Sequence, residues 1–552
     1  MEVSTVDLPS TPLFAPSTAT RAEAEEIHIS HQRAKVIALR YSLTIHDILG
    51  PSTRFFSMFS DMISSMDIAA TGMNSIQTNL AAGTLAPFVL QRPELWALLD
   101  DILSFRISAQ FVMTELGHGL DAPNLETTAT LQANGSFDLH TPHPGAAKFM
   151  PPTLPYSGVP AVGIVVARLI VRGEDYGVRP FVVPFNDGVQ LCKGITAKAL
   201  PSRGGSRSMG HTITYFDHVV LPPSSLLGDL RKVQDHRQHF LHTIWRVGVG
   251  SLSLSALVIP CLKVSAYTLG KYSQQRYITG PSGRPIPIIS FRTQHMPILN
   301  ALAQAFVLDA FYKQVCEWFT ETPREKIELR NAFSTIAKAT LFGHWYRTMS
   351  TFSERCGARG LFDVNQLLRF VNELRGVSVA EGDTLVLSIR LASELILRRY
   401  DIPEATQQDS LLIRHERGIM EEMTTTLLQG GRDHRGSSTN QMNLPRSLPL
   451  VEAIGHRMAW EAAKAASVPA PLTDLAWYIE RGLVSRKHFA RMQSEAFNDV
   501  LERLDEYLEA TGAAPYAVAP ILSESSWDAY VQGLPSFSGN ASYDAIPPQA
   551  RL

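Results

Sequence analysis

Glu381 is followed by Gly382, Asp383 and Thr384 and then by an apolar run from Leu385, so a carboxylate stands at a loop-to-helix junction. There it faces the positive end of a helix dipole, where a lone acid ordinarily serves as a cap. The alternative is a base, and a base working near neutral pH needs its pKa raised. A second stretch, Met113-Thr114-Glu115-Leu116-Gly117-His118-Gly119, sets a Thr, an acid and two glycines in a tight turn after an apolar run. Glycines let a backbone approach a ligand, and a hydroxyl with free N–H groups can hold a flavin or a phosphate, as any short Gly turn can. His236, His239 and His242 are spaced by three like ligands on one helix face, but no recognised metal motif surrounds them. A surface or capping role is expected for them, and no metal site. His118 is expected to order its own turn. Asp217-His218 and His344 have no nucleophile partner, since G-x-S-x-G is missing; P-loop, G-x-G-x-x-G and EF-hand patterns are missing too.

The elements that must position these residues change character along the chain. Residues 1–25 read as a polar tail. Apolar residues then recur at three and four over 27–49, 53–66 and 94–110, which predicts an N-terminal helical domain across 26–111. From 112 to 222 Val, Ile and Thr gather in short runs at 127–131, 163–172, 179–183, 211–216 and 218–221. Asn134-Gly135 and Asn186-Asp187-Gly188 punctuate them, so a compact antiparallel β domain is expected. Helical spacing returns at 240–269, 293–320, 326–349, 363–374 and 385–399, a bundle over 223–400. A Gly-rich polar loop at 429–440 interrupts a last helical unit, 401–552, with helices near 450–466, 471–479 and 485–510. The class is mostly α with a central antiparallel β domain.

Composition excludes several functions. Lys and Arg number 50 against 52 Asp and Glu, so no global field draws nucleic acid or an anionic membrane. The four cysteines have no paired spacing, which argues against a disulfide framework or a zinc site. Two glycosylation sequons, at Asn134 and Asn540, read as chance because residues 1–26 do not resemble a secretory signal. The longest apolar stretch, 247–262, is broken by Gly248, Gly250 and Pro260 and is too short to span a membrane, so a buried helix is expected. The chain closes on Ala550-Arg551-Leu552, a conservative variant of the S-K-L peroxisomal address.

The string Thr114-Glu115-Leu116-Gly117-His118-Gly119, continued by Leu125-Glu126-Thr127-Thr128-Ala129-Thr130, resembles the acyl-CoA oxidases, the flavin-dependent branch of the acyl-CoA dehydrogenase superfamily. The order of helices, β domain, bundle and extra helical unit is similar to theirs, and the resemblance spans most of 40–510. It implies FAD as cofactor, an acyl-CoA or related acyl thioester and O2 as partners, and a homodimer with the cofactor site built across subunits. It also implies Glu381 as the base that takes the α-proton, with Thr114, Gly119, Gly382 and Thr384 close to the cofactor. Arg276, in Tyr272-Ser273-Gln274-Gln275-Arg276, and Gln294 after it are similar to the segment that pairs with the FAD pyrophosphate across a dimer. Cys356-Gly357-Ala358-Arg359-Gly360 resembles the oxidases' C-G-G-H-G turn, keeping Gly357 but not its middle.

The flavin wall departs from the family. In Lys148-Phe149-Met150-Pro151-Pro152-Thr153, Met150 replaces an aromatic residue, and Pro152, which has no N–H, replaces a Thr or Gly beside flavin N5. Leu120 likewise stands where a Ser or Thr usually follows the turn. The expected function is a peroxisomal FAD-dependent acyl-CoA oxidase-like enzyme that desaturates an acyl thioester and passes the electrons to O2, giving H2O2. Two alternatives stand beside it: the same fold and flavin acting as a desaturase or oxygenase on a specialised secondary-metabolite substrate, and a catalytically silent subunit of a hetero-oligomer.

Overall fold

The computed structural model describes residues 3–16, 21–474 and 495–542. The expected terminal helix across 485–510 falls partly outside them, and Ala550-Arg551-Leu552 lies wholly outside. The N-terminal segment is not a free polar tail. Leu8 and Phe14 are buried in the main core, and the Thr5 hydroxyl lies 2.7 Å from Asp61 and 2.8 Å from the Tyr516 hydroxyl. Two apolar residues among many polar ones suffice to peg the segment down, and composition averaged over 25 residues conceals them.

Helices α1 (Glu23–Tyr41), α2 (Ile45–Leu49), α3 (Thr53–Ser60), α4 (Ile68–Asn74), α5 (Ala82–Val89) and α6 (Trp96–Leu103) form the N-terminal layer. Thr44, Ser52 and Asp67 cap α2, α3 and α4 through their side chains, which fixes the helix starts. Between α4 and α5 the helix widens into a π turn, Ser75–Ala81. Asp67 also pairs with Arg33 of α1 and with Arg207 of the β domain, each at 2.8 Å, and the two guanidinium groups hold its carboxyl well below the usual range despite burial. The helix expected across 94–110 stops at Leu103. Ser108–Val112 is instead strand β1, because a parallel partner and the Gln77 side chain satisfy its backbone; the Ala109 N–H donates to Gln77 Oε1 at 2.6 Å.

The β domain holds β2 (Thr128–Leu131), β3 (Phe137–His140), β4 (Lys148–Phe149), β5 (Ala161–Val171), β6 (Glu174–Asn186), β7 (Ile195–Ala199), β8 (Thr212–Phe216) and β9 (Val219–Leu221). It is mixed, not purely antiparallel as expected. β1 and β2 both run parallel to β5 and share one of its edges, while β6 pairs antiparallel along the other. β2 then leads through β3 to β9, and β4, β8 and β7 make a second small sheet. Alternation within a strand reports which face is buried but not the direction of its partner, so the parallel pairs are invisible to pattern reading. Phe137, Phe181, Phe185 and Leu169 fill the domain's own core.

The bundle comprises α7 (His236–Thr243), α8 (Trp245–Ser255), α9 (Val258–Gln275), a short hairpin of β10 (Tyr277–Thr279) and β11 (Pro285–Pro287), then α10 (Arg292–Glu321), α11 (Ile327–Arg355), α12 (Leu367–Val379) and α13 (Thr384–Ile396). Residues 245–275 extend beyond the expected 247–262, enough in length and composition to cross a membrane, yet they are mostly buried inside this protein. In the last unit α14 (Leu411–Gln429) and α15 (Leu444–Ala465) share the bundle's core: α15 lies against α10, α11 and α13, and Leu450, Ile454 and Met458 join one continuous apolar cluster.

Candidate functional site

Glu381 does not cap α13. That role falls to Asp383, whose carboxylate accepts the Val386 N–H at 3.0 Å. Glu381 stands two residues earlier in the left-handed region, φ +53, with Gly382 at φ +106. A non-glycine residue held there is strained, and such strain concentrates where a side chain must be aimed. The holding group is Lys338 of α11. Its buried ammonium donates to the carbonyls of Ala380 and Gly382, both at 2.6 Å, clamping the chain on either side of Glu381. The Thr384 hydroxyl braces the same turn by donating to Ser378 O at 3.1 Å.

The clamp swings the Glu381 side chain toward the π turn. Oε1 accepts from the Ser75 hydroxyl at 2.8 Å, and Oε2 lies 3.4 Å from Asn79 Nδ2. A Cβ on Gly250 of α8 would sit 1.4 Å from Oε2, so only glycine leaves room for this rotamer. Burial raises the Glu381 pKa to about 7, against the Ser75 hydrogen bond and the more distant charges of Lys338 and Arg246, which lower it. Arg246 is itself fully buried, donating to Asn79 O at 2.9 Å and Ile48 O at 2.8 Å, and it packs on Phe55 and Trp245. Both neighbouring cations bond carbonyls, and the carboxylate has no direct ion pair with a described residue. The result is an acid that exchanges a proton near neutral pH, which is what a general base requires.

Ser75, Asn79, Gly250, Arg246 and Lys338 escaped the sequence reading. Two signals were there. Asn74, Ser75, Gln77, Thr78 and Asn79 form a polar run inside an otherwise apolar helix, and Arg246 is the one charge in the apolar stretch 245–262. Buried polar runs need partners, and π turns recur at functional sites.

Thr114, Met150 and Pro152 come together in the β domain. Thr114 O accepts the Phe149 N–H at 2.9 Å, and the Met150 N–H is already bonded to Thr212 O at 2.9 Å. Met150 has φ +72 and is 36% exposed. With that N–H used and Pro152 lacking one, neither residue offers a ring nitrogen a backbone donor. Gly119 faces open space. Glu115, between Thr114 and Gly119, is fully buried with Lys148 and accepts the N–H groups of Glu126 at 2.7 Å and Thr127 at 2.9 Å. His118 bonds Glu126 at 2.8 Å, ordering the turn.

A third group lies at the other end of α11. Gln294 of α10 donates to Ser273 at 3.0 Å and to Arg355 O at 3.1 Å, drawing the ends of α9 and α11 together. Arg276 terminates α9, and its exposed guanidinium has no ion pair with a described residue. Gly357, φ +59, has nothing within 4 Å of where a Cβ would stand, so the turn is open. Seventeen residues separate Lys338 from Arg355 on α11, which is ~25 Å at the helical rise. The Lys338 clamp beside Glu381 and the Gln294–Arg355 contact are therefore well separated along the bundle.

Residues 265–396 match the family model for the acyl-CoA oxidase C-alpha1 domain, a span that contains Arg276, Gln294, Gly357, Glu381, Gly382 and Thr384. Peroxisomal acyl-coenzyme A oxidase 2 of Arabidopsis thaliana is 27% identical over 325 residues, covering 54% of this chain and 46% of that protein. The chain thus spans about half the length of the curated relatives it matches. Acyl-CoA oxidase 1 of Yarrowia lipolytica superposes with a TM-score of 0.76 at 17% identity, covering 95% of this chain and 88% of that one. Acyl-CoA oxidase-2 of Caenorhabditis elegans, solved with FAD, ascaroside-CoA and ATP, gives 0.63 at 16% identity over 92% and 89% of the two chains.

Proposed function

We propose that this chain, a distant member of the acyl-CoA oxidase family by its likeness to those enzymes, is an FAD-dependent oxidase that desaturates an acyl thioester between its α and β carbons. The observation that carries the reading is Glu381, a strained carboxyl titrating near 7, hydrogen-bonded by Ser75 and clamped by Lys338. Bound FAD would accept the β-hydride and pass two electrons to O2, giving H2O2. Glu381 takes the α-proton, and its carboxyl, with no direct cation among the described residues, holds that proton at neutral pH. The Ser75 hydroxyl keeps Oε1 aimed while the second oxygen works. Lys338 fixes the loop so that the base does not follow the substrate, which is the preorganisation that such catalysis depends on.

The residues fit FAD unevenly. Arg276, exposed and without an ion pair to a described residue, suits a diphosphate, and the open turn at Gly357 leaves space beside it. The ~25 Å along α11 from the Lys338 clamp to Arg355 supports a cofactor shared between two copies, each giving one end, and hence a homodimer. Thr114 and Gly119 would line the ring end with Gly382, while Met150 and Pro152 offer it neither an aromatic face nor an N–H. That altered wall favours a specialised acyl group over a plain fatty acid. Action in the peroxisome is supported by the relatives' names.

The test is reconstitution with FAD, anaerobic bleaching by acyl-CoAs and peroxide release in air. Glu381→Gln should keep the flavin and slow bleaching by at least ~100-fold. A protein that takes up no flavin, or a variant that bleaches at the wild-type rate, overturns the reading; the former would favour a silent subunit.

A further inference from the structure

The wall residue Pro152 also lines a narrow cleft between the N-terminal helices and the β domain. Ile27, Met73, Ile76 and Phe105 give it apolar sides. Ile76 and Gln77 on its floor belong to the same π turn whose Ser75 and Asn79 hold Glu381. The cleft and the base therefore share one wall, the π turn, which puts the cleft within reach of an acyl group bound at Glu381. Two polar side chains interrupt the apolar lining. His31 of α1 is 5% exposed, tilted against Phe105 with ring centroids 5.6 Å apart, and neither ring nitrogen has a hydrogen-bond partner among the described residues. Gln110 of β1 is 8% exposed. Its Nε2 donates to Ser108 Oγ at 3.2 Å, while its Oε1 is left without a partner among the described residues.

Buried polar atoms of native proteins are nearly always satisfied, so three unpartnered ones on two residues that line one cleft call for a ligand group beside them. A plain hydrocarbon tail would displace water from them and return nothing. We propose that the acyl group carries a hydroxyl along its tail and that His31 and Gln110 read it. The inference rests on the oxidase reading of Glu381 for the location of the thioester. Burial, with the charges of His28 and Lys35 nearby, depresses the His31 pKa to about 4, so the ring is neutral. It offers one N–H and one lone pair, and Gln110 adds a carbonyl oxygen. A hydroxyl can accept the ring N–H and donate to the Gln110 oxygen, meeting two of the three atoms; a terminal carboxylate, which only accepts, meets the Gln110 oxygen unfavourably.

The experiment compares acyl-CoAs of equal length carrying no substituent, a mid-chain or terminal hydroxyl, or a terminal carboxylate. kcat/KM is read from peroxide release, and affinity by anaerobic calorimetry on the FAD-loaded protein. The expected result is a preference of at least ~10-fold for a hydroxylated ester over the unsubstituted and carboxylated ones, since sites built to bond a hydroxyl reject analogues lacking it. In His31→Leu and in Gln110→Met that ratio should collapse toward one, with flavin content and melting temperature monitoring the fold. Equal kcat/KM and affinity for all esters in the wild type overturns the inference and leaves the oxidase reading standing. Preferential binding of hydroxylated esters without desaturation supports the cleft assignment and overturns the oxidase reading instead. Should neither variant fold, the wild-type ratio alone decides.

Discussion

Glu115 and Glu381 are both glutamates in motifs, each with a buried lysine at hand, and the protein uses them in opposite ways. Lys148 Nζ sits 3.0 Å from Glu115 Oε1, and two backbone N–H groups donate to the same carboxylate. Burial alone would raise the Glu115 pKa, but the cation and those donors overcome it and the carboxyl is held below its ordinary value. Lys338 is buried beside the Glu381 turn, yet its ammonium goes to the carbonyls of Ala380 and Gly382. Burial then prevails, and the carboxyl rises to about 7. Proximity of a lysine thus says little about a glutamate. What decides is whether the lysine's protons reach the carboxylate or the chain that carries it.

The comparison breaks most severely at Glu115. Glu115→Gln leaves the Lys148 charge buried and unpaired, which should cost about 3–5 kcal/mol in urea unfolding. The double variant Glu115→Gln with Lys148→Met should recover a good part of that, because no charge remains stranded. Full additivity of the two losses would show that the ion pair is not the cause. The pH dependence separates the two acids by sign. Glu115, depressed when folded, contributes stability that is present above its unfolded pKa, near 4.5, and is lost as pH falls through its lower folded value. Glu381, raised when folded, contributes stability below about 4.5 that is lost as pH rises through about 7. In ligand-free protein, Glu381→Gln should therefore be more stable than wild type at pH 8, by up to ~3 kcal/mol, and no more stable at pH 4. Parallel unfolding curves at the two pH values check this, and an equal difference at both would mean that Glu381 titrates normally.

Gly250→Ala acts on geometry alone. Its methyl would occupy the place of Glu381 Oε2, so the carboxyl must turn from Asn79. The expected cost in stability is about 1–3 kcal/mol of overpacking, with a rate loss approaching ~100-fold from misplacing the base. Gly248→Ala, two residues along the same helix, would meet the Asn331 side chain instead and should spare most of the rate at a similar stability cost. Equal rate losses in both would mean that helix distortion, not displacement of Glu381, is responsible.

How much of this was legible in the chain differs between the two glutamates. The Glu381 junction could be read because capping chemistry and an apolar helix follow it in sequence, although the cap proved to be Asp383. Helices α10 and α13 were also legible, within three residues, from apolar spacing, whereas the single helix expected across 240–269 is broken into α7, α8 and α9. Illegible were the partners 302 and 306 residues away, Asn79 and Ser75, because a hydrogen bond across the fold leaves no local pattern. The same reason hid β1: its strand state depends on β5 and on the Gln77 amide, neither adjacent in sequence. Glu115 misled in the other direction. It stands in the most recognisable string of the chain, and its work there is to hold the turn, not to touch a ligand.

Ser75→Ala gives the smallest and sharpest separation. The Ser75 hydroxyl is the closest donor to the Glu381 carboxylate and lowers a pKa that burial raises. Deleting it removes one hydrogen bond to the charged form, so the carboxyl should titrate above 7, by a fraction of a pH unit to about one unit. The acidic limb of the rate profile should move up accordingly, with the rate at pH 6 falling several-fold and that at pH 9 little changed. The corresponding loss at Glu115, the hydrogen bond from the Thr127 N–H, has no such readout, because that carboxyl is charged across the whole range. A Ser75→Ala profile lowered uniformly at every pH would show that the serine only positions Oε1, and would leave burial and the neighbouring cations to set the pKa.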